Sequence, residues 1–378
     1  MKNLIILLLC ISCLSCRSTL SNIFDKKAPH EKYAEKVENK YQNTPEGRQW
    51  LAASKLALQE AHTIELPYRH HGYFQPDTPR ALGLAFNAKQ GERLFFAVNK
   101  KAGGLFVLYA DIFKEGSYET PLVSADTSAA QFSFDVEESG NYVLRLQPEL
   151  FRTGSYEFSV SVGPSLAFPV PAAKARIGSF WGDERDGGQR SHEGVDIFAA
   201  KRSPVVASAD GYVTGVGDGG IGGKTVWLRV KEKNYTLYYA HLDLQLVSEG
   251  QWVQKGDTIG LVGNTGNART TPPHLHFGIY SYGGPVDPLP YISQNVKTAP
   301  AVTARDLTGY LELIKSYKGA DGSIAPRNTV LVPLAVTSKG YLAELPGGKI
   351  IETTFTSVKP APKAEKFASS AKQKIKSS

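Results

Sequence analysis

Beyond residue 16 the chain has no cysteine: Cys10, Cys13 and Cys16 are its only three, within a length of 378 residues. No disulfide is available to the rest, which must be held together by buried cores. No later segment reaches 18 apolar residues in a row, so nothing after the leader is long enough to cross a bilayer as a helix. The H-E-x-x-H helix of one large class of zinc hydrolases is also missing, and with it that class's glutamate base. The glycine–lysine stretch G-G-I-G-G-K-T leads into V-W-L-R-V, a strand, where a phosphate loop needs a helix, so that nucleotide reading fails. Basic charge is scarce outside one place. The formal net charge is +7, but the last twenty residues carry six lysines against one glutamate, leaving the folded part close to neutral. Nucleic-acid binding is excluded on that ground, because it needs basic residues concentrated on a folded face. The tail, residues 359–378, is poor in apolar residues and is expected to be a disordered, solubilising end.

The leader has a single lysine, an unbroken apolar run from Leu4 to Leu9, and the small-residue exit C-I-S-C-L-S-C. These features make residues 1–16 a secretory signal. Ser15 before Cys16 resembles a lipoprotein cleavage site, although Cys13 stands where leucine is usual. The resemblance implies a lipid on Cys16 and an exported product anchored to the membrane, facing the periplasm or wall.

A chain of this length suggests two or three domains. Residues 17–62 read as a polar tether followed by helices from about His30 to Glu60, with Thr44, Pro45 and Glu46 forming a helix start. Residues 63–165 alternate polar and apolar in short runs such as R-L-F-F-A-V and N-Y-V-L-R-L, broken by glycine turns. That pattern predicts an antiparallel β-sandwich, jelly-roll-like in its last pair, serving as a spacer or as a wall-binding module. His70 and His71, in R-H-H-G, are expected in a solvated loop without a role. P-S-L-A-F-P-V-P reads as an extended connector into residues 166–298. Residues 299–358 carry four short strands and resemble a small SH3-like β domain. The expected fold class is mostly β throughout, with only the N-terminal segment helical.

Four of the eight histidines fall in three short pieces: R-S-H-E-G-V-D, with His192 and Asp196; Y-Y-A-H-L, with His241; and H-L-H-F, with His274 and His276. The last lies in L-H-F-G-I-Y, a β-branched and aromatic run that reads as a strand. Side chains at i and i+2 leave the same face of a strand, so His274 and His276 should point into one site. An imidazole pair with a carboxylate is the ligand set of a catalytic zinc, which keeps one position for water.

In this order, H-x-x-x-D, then a lone histidine before leucine, then H-x-H, the stretch resembles the lysostaphin-type zinc endopeptidases, peptidase family M23 or the LytM domain. S-P-V-V-A-S-A-D-G-Y-V, Q-W-V-Q-K-G-D-T-I-G-L-V-G-N-T-G and D-P-L-P-Y-I agree with it, and together they cover about a third of the chain. The resemblance implies a central antiparallel β-sheet domain of the duplicated hybrid motif kind and Zn²⁺ as cofactor. Its ligands would be His192, Asp196 and His276, with His241 and His274 as the catalytic, non-ligand pair. It also implies cleavage of peptide stems or bridges in peptidoglycan. One histidine would take the proton of a metal-activated water and return it to the leaving amine, while a histidine could also support the oxyanion. Which of the two does which stays open, as does the bond cleaved. The G-N-T-G and G-D-G-G-I-G-G-K turns resemble groove walls of this family. Asp183, Glu184 and Asp186, ahead of His192, read as a solvated loop that could contact a peptide amine, and Glu193 is expected to face away from the site. The rival reading is a catalytically inactive wall-binding regulator that activates another hydrolase. Such relatives characteristically lose one of the five residues, and all five are present here.

Overall fold

A computed structural model describes residues 27–361 except 77, 101–106 and 320–321. The segment expected to be a signal, with Cys16, and the tail from 362 onward lie outside the described residues. As expected, β-strands dominate, arranged mainly as antiparallel sheets. No described helix is long and apolar enough to cross a membrane.

Two helices open the described chain, α1 (Pro29–Tyr41) and α2 (Pro45–Gln59). Thr44 caps α2, its hydroxyl accepting from the Gly47 amide at 3.1 Å, with Pro45 at the first helical position. The pair docks on the sandwich through polar as well as apolar contacts. Trp50 donates its indole N–H to the Pro148 carbonyl at 2.8 Å and stacks on His30, whose Nε2 shares a 2.6 Å hydrogen bond with Gln147. Beside them Arg145 bridges Asp111 at 2.7 Å and donates to Ser54 at 2.9 Å, all three residues buried.

The sandwich sets a five-stranded sheet against a nine-stranded one around a core of Leu84, Phe86, Leu94, Phe96, Leu144 and Phe158. Two expectations change here. The strand Tyr68–Phe74 puts His70 in the middle of this core, fully buried, with Nε2 3.2 Å from the Tyr156 hydroxyl. An R-H-H-G string looks like a loop because the residues that cover it, Tyr156 and Phe158, come from a distant strand. Second, residues 299–358 are not a free-standing barrel. The strand Val330–Val336 pairs with Tyr68–Phe74, and Val332, Leu334 and Leu342 share the sandwich core. The strand Val358–Ala361 also carries the ordered chain past the expected boundary at 358.

The third unit is built on a ten-stranded antiparallel sheet with its own core, including Val195, Ile197, Leu237, Tyr239, Leu275 and Phe277. The connector from 164 belongs to this core: Leu166 and Val170 are buried in it, and the Leu166 amide donates to the Tyr291 carbonyl at 2.8 Å. Ion pairs from Lys233 to Asp135 (3.3 Å) and Glu137 (3.0 Å) join this unit to the sandwich.

Candidate active site

Strand register brings the site together. In the sheet, Asp196 on Val195–Phe198 lies directly opposite His276 on His274–Ser281, and His276 opposite Ala240 on Tyr235–Gln245. Residues directly opposite in an antiparallel pair share a face. The odd-numbered neighbours Val195, Ile197, Leu275 and Phe277 fill the core, so the alternation turns Asp196, His274 and His276 together to the other face. His192 arrives from the loop before the first of these strands. Gly194, between them, has no room for a side chain: a Cβ there would lie 2.7 to 2.8 Å from the His276 ring and 2.6 Å from the Phe277 carbonyl.

Three atoms converge. His192 Nε2 and His276 Nδ1 are 3.0 Å apart, and each is 3.1 Å from Asp196 Oδ1. Among the described residues this is the one group of three or more such side chains placed to hold a metal ion. Its fit can be tested on the donors. His192 Nδ1 donates to the Phe180 carbonyl at 2.8 Å, and since a carbonyl oxygen only accepts, the neutral ring keeps its lone pair at Nε2, the converging atom. Metal–ligand bonds of about 2.05 Å in tetrahedral array place ligand atoms about 3.3 Å apart. The observed edges are within a few tenths of an ångström of that, so the residues fit a small divalent ion with nitrogen and oxygen ligands. Burial works to raise the Asp196 carboxyl, but the adjoining His192 and His276 outweigh it and hold the group far below the usual carboxylate range. Burial moves His276 in the opposite sense to its acidic neighbour's pull, and its net shift is downward.

His241 and His274 stand beside this triangle. Their ring centroids are 5.0 Å apart, and that of His241 is 5.9 Å from His276. His241 Nδ1 donates to the Thr265 carbonyl at 2.9 Å, and His274 Nδ1 to the Pro272 carbonyl at 2.8 Å. Both therefore present Nε2 as an acceptor when neutral: each can take a proton, and each can donate from Nε2 only after it has done so. Burial, then the neighbouring His274 and His276, pushes His241 down to about 4. His274 Nε2 lies 4.0 Å from Asp196 Oδ1.

The backbone of His241 is itself unusual, with φ of 61°, in the left-handed region that only glycine enters freely. The flanking loops fix it. Its amide donates to the Gly222 carbonyl at 2.9 Å, and Thr265 donates its hydroxyl to the Leu242 carbonyl at 2.9 Å. Gly266, at φ of 69°, approaches so closely that a Cβ would lie 2.2 Å from the Ile221 carbonyl. Thus the two glycine-rich turns lock to each other and to His241, and Ile221, Gly222 and Asn267 form one wall of a cleft of about 650 Å³.

All five residues singled out in the sequence line this cleft. Arg185, Glu193, Tyr238 and Tyr280 line it too, and sequence pattern had pointed to none of them. Glu193 does not face away, as it would in an extended segment. Residues 192–194 are not in a strand, so the alternation fails there. Asp183 does not stay free in its loop; its carboxylate accepts from the Phe180 amide at 2.8 Å and the Ser179 hydroxyl at 2.7 Å.

Fold and centre together define a β-sheet protein with a candidate metal site of two histidines and one aspartate, and two further histidines beside it. Residues 190–288 match the model of Peptidase family M23, and the chain carries a peptidase domain of that family. It is 38% identical over 139 residues to the L-Ala–D-Glu endopeptidase of Bacillus subtilis, a match covering 33% of this chain and 42% of the relative. Similarity also extends to the peptidoglycan DD-endopeptidase ShyC of Vibrio cholerae (34% over 120 residues; 32% and 25% covered). A third relative is the murein hydrolase activator NlpD of Salmonella dublin (37% over 103 residues; 27% and 26% covered). In each case the match spans less than half of the relative's length.

Proposed function

We propose that this protein is a zinc-dependent endopeptidase that hydrolyses peptide cross-links of bacterial cell-wall peptidoglycan. The observation that carries the reading is the convergence of His192 Nε2, Asp196 Oδ1 and His276 Nδ1 opposite two histidines whose Nε2 atoms face the same cleft as acceptors. Held by those three atoms, zinc would supply Lewis acidity at the scissile carbonyl and lower the pKa of a water towards neutrality. The remaining work falls to the chain. His274, whose Nε2 faces the cleft 4.0 Å from Asp196 Oδ1, takes the proton of the attacking water. From there it can pass to the leaving amine. His241, kept neutral by burial and fixed by Thr265, orients the second hydrogen of that water as an acceptor. The cleft walls, Ile221, Gly222, Tyr238 and Tyr280, leave room for an extended peptide. Export, with anchorage through Cys16, would put this chemistry in the cell envelope.

A second reading, an activator of another wall hydrolase, is favoured by one observation, the similarity to NlpD. Purified peptidoglycan separates the two. The enzyme reading expects release of soluble fragments by the chain alone, abolished by a chelator, restored by zinc, and absent in Asp196→Ala. If the metal-loaded chain releases nothing alone but raises the activity of an added wall hydrolase, the activator reading replaces it.

A further inference from the structure

The carboxylate of Asp196 has two oxygens, and only Oδ1 faces the histidines. Oδ2 accepts from Arg185 Nη2 at 3.0 Å. That nitrogen also meets the Ser179 hydroxyl at 2.6 Å, and Ser179 in turn donates to Asp183 at 2.7 Å. The same short segment holds His192: the His192 amide donates to the Asp183 carbonyl at 2.8 Å, the Gly182 amide donates to the His192 carbonyl at 3.0 Å, and the His192 ring donates to Phe180. Arg185 is thus the end of a belt, residues 179–185, that fixes two of the three converging side chains from outside.

Charge and reach give this arrangement a purpose. A buried carboxylate facing a divalent ion can offer one oxygen or both, and the choice decides how many positions stay open for water and substrate. A guanidinium on Oδ2 satisfies that oxygen with a charge-assisted hydrogen bond. It also stops the carboxylate from rotating so as to present both oxygens. We propose that Arg185 is a positioning residue that restricts Asp196 to single-oxygen ligation and so keeps the centre open. The inference rests on the metallopeptidase reading for the presence of the ion, but not on any reaction.

Cobalt(II) is the probe, because its visible absorption is strong in four-coordinate sites and weak in five-coordinate ones, and needs no turnover. The chain would be stripped with a chelator and titrated with cobalt, then with zinc, for wild type, Arg185→Met, Arg185→Lys and Ser179→Ala. Arg185→Met keeps an unbranched side chain of similar reach without donors. It is expected to lower the cobalt absorption by about two-fold or more as Asp196 closes on the ion. Zinc affinity should fall by about 10- to 100-fold, the usual cost of an outer-shell partner. Arg185→Lys should recover part of both, because a cation remains beside Oδ2, and Ser179→Ala should shift both in the same direction by less. Far-UV circular dichroism, with the Ser179→Ala result, separates misfolding from the proposed effect. A folded Arg185→Met with wild-type cobalt absorption and zinc affinity would overturn the proposal. Cobalt binding that follows the proposal in a wild-type chain that cuts no peptidoglycan would leave Arg185 in its role and sink the hydrolase reading alone.

Discussion

His241 occupies a left-handed backbone conformation at φ of 61°, and it is the only one of the five central side chains that does. An L-residue there costs about 1–2 kcal/mol relative to its ordinary conformations, through contact of Cβ with the following carbonyl. Such strain persists only where surrounding structure enforces it, and it gathers at functional positions. The cost can be isolated by comparing His241→Ala with His241→Gly. Both delete the imidazole and its bond to Thr265, and they differ only in the Cβ. At an ordinary strand position glycine is the worse of the two by about 0.5–1 kcal/mol, because it loses more backbone entropy on folding. Here the order should reverse. Relief of the left-handed strain, less that entropy cost of about 0.5–1 kcal/mol, leaves glycine ahead by up to about 1.5 kcal/mol. Hydrogen exchange of the amides in Gly223–Val230 and Tyr235–Gln245, measured in the metal-free chain, reports the local opening energy. Slower exchange in His241→Gly than in His241→Ala supports the reasoning. Equal exchange, or slower exchange in His241→Ala, refutes it.

Three further outcomes are expected. Gly194→Ala would drive a methyl group into the His276 ring and the Phe277 carbonyl; isothermal titration should show zinc affinity reduced by at least about 10-fold, with the sandwich unaffected. Burial first, then Arg145, pushes His30 down to about 4. An unfolded chain binds that proton near 6.5 and the folded chain only near 4, so the stability is complete above about 6.5 and is lost as pH falls towards 4, by roughly 3 kcal/mol at most. His30→Phe, which keeps the stack on Trp50, should flatten the dependence of the urea midpoint between those limits; an unchanged slope would assign it elsewhere. Finally, Asp111→Ala strands Arg145 beside the helices without its 2.7 Å partner. The expected cost is about 3–5 kcal/mol, read as early loss of protection in α1 and α2 by hydrogen exchange.

The five central residues were legible because each piece of the pattern is local: an i, i+2 pair on a strand, a histidine four residues before an aspartate, a lone histidine before leucine. The sheet then had only to bring three short strands into register. What stayed hidden depends on partners distant in sequence. Arg185 looks like one more charge in a polar loop until Asp196 is seen to turn its second oxygen towards it. His70 looks solvated until the strand Gly154–Pro164 covers it. The C-terminal strands have the lengths and turns of a small separate barrel, and no local feature reveals that Val330–Val336 completes the sandwich sheet beside Tyr68–Phe74. The left-handed backbone of His241 was equally invisible, because it is imposed by Gly222 and Thr265 from two other loops.

The most direct test of the central claim is mass spectrometry of purified, cross-linked peptidoglycan after incubation with the metal-loaded chain. His274→Ala and a chelated sample serve as controls. The account predicts loss of cross-linked fragments with matching new peptide termini, at one defined bond, in the wild-type sample only. Intact cross-links and stems in that sample, with zinc demonstrably bound, would contradict it.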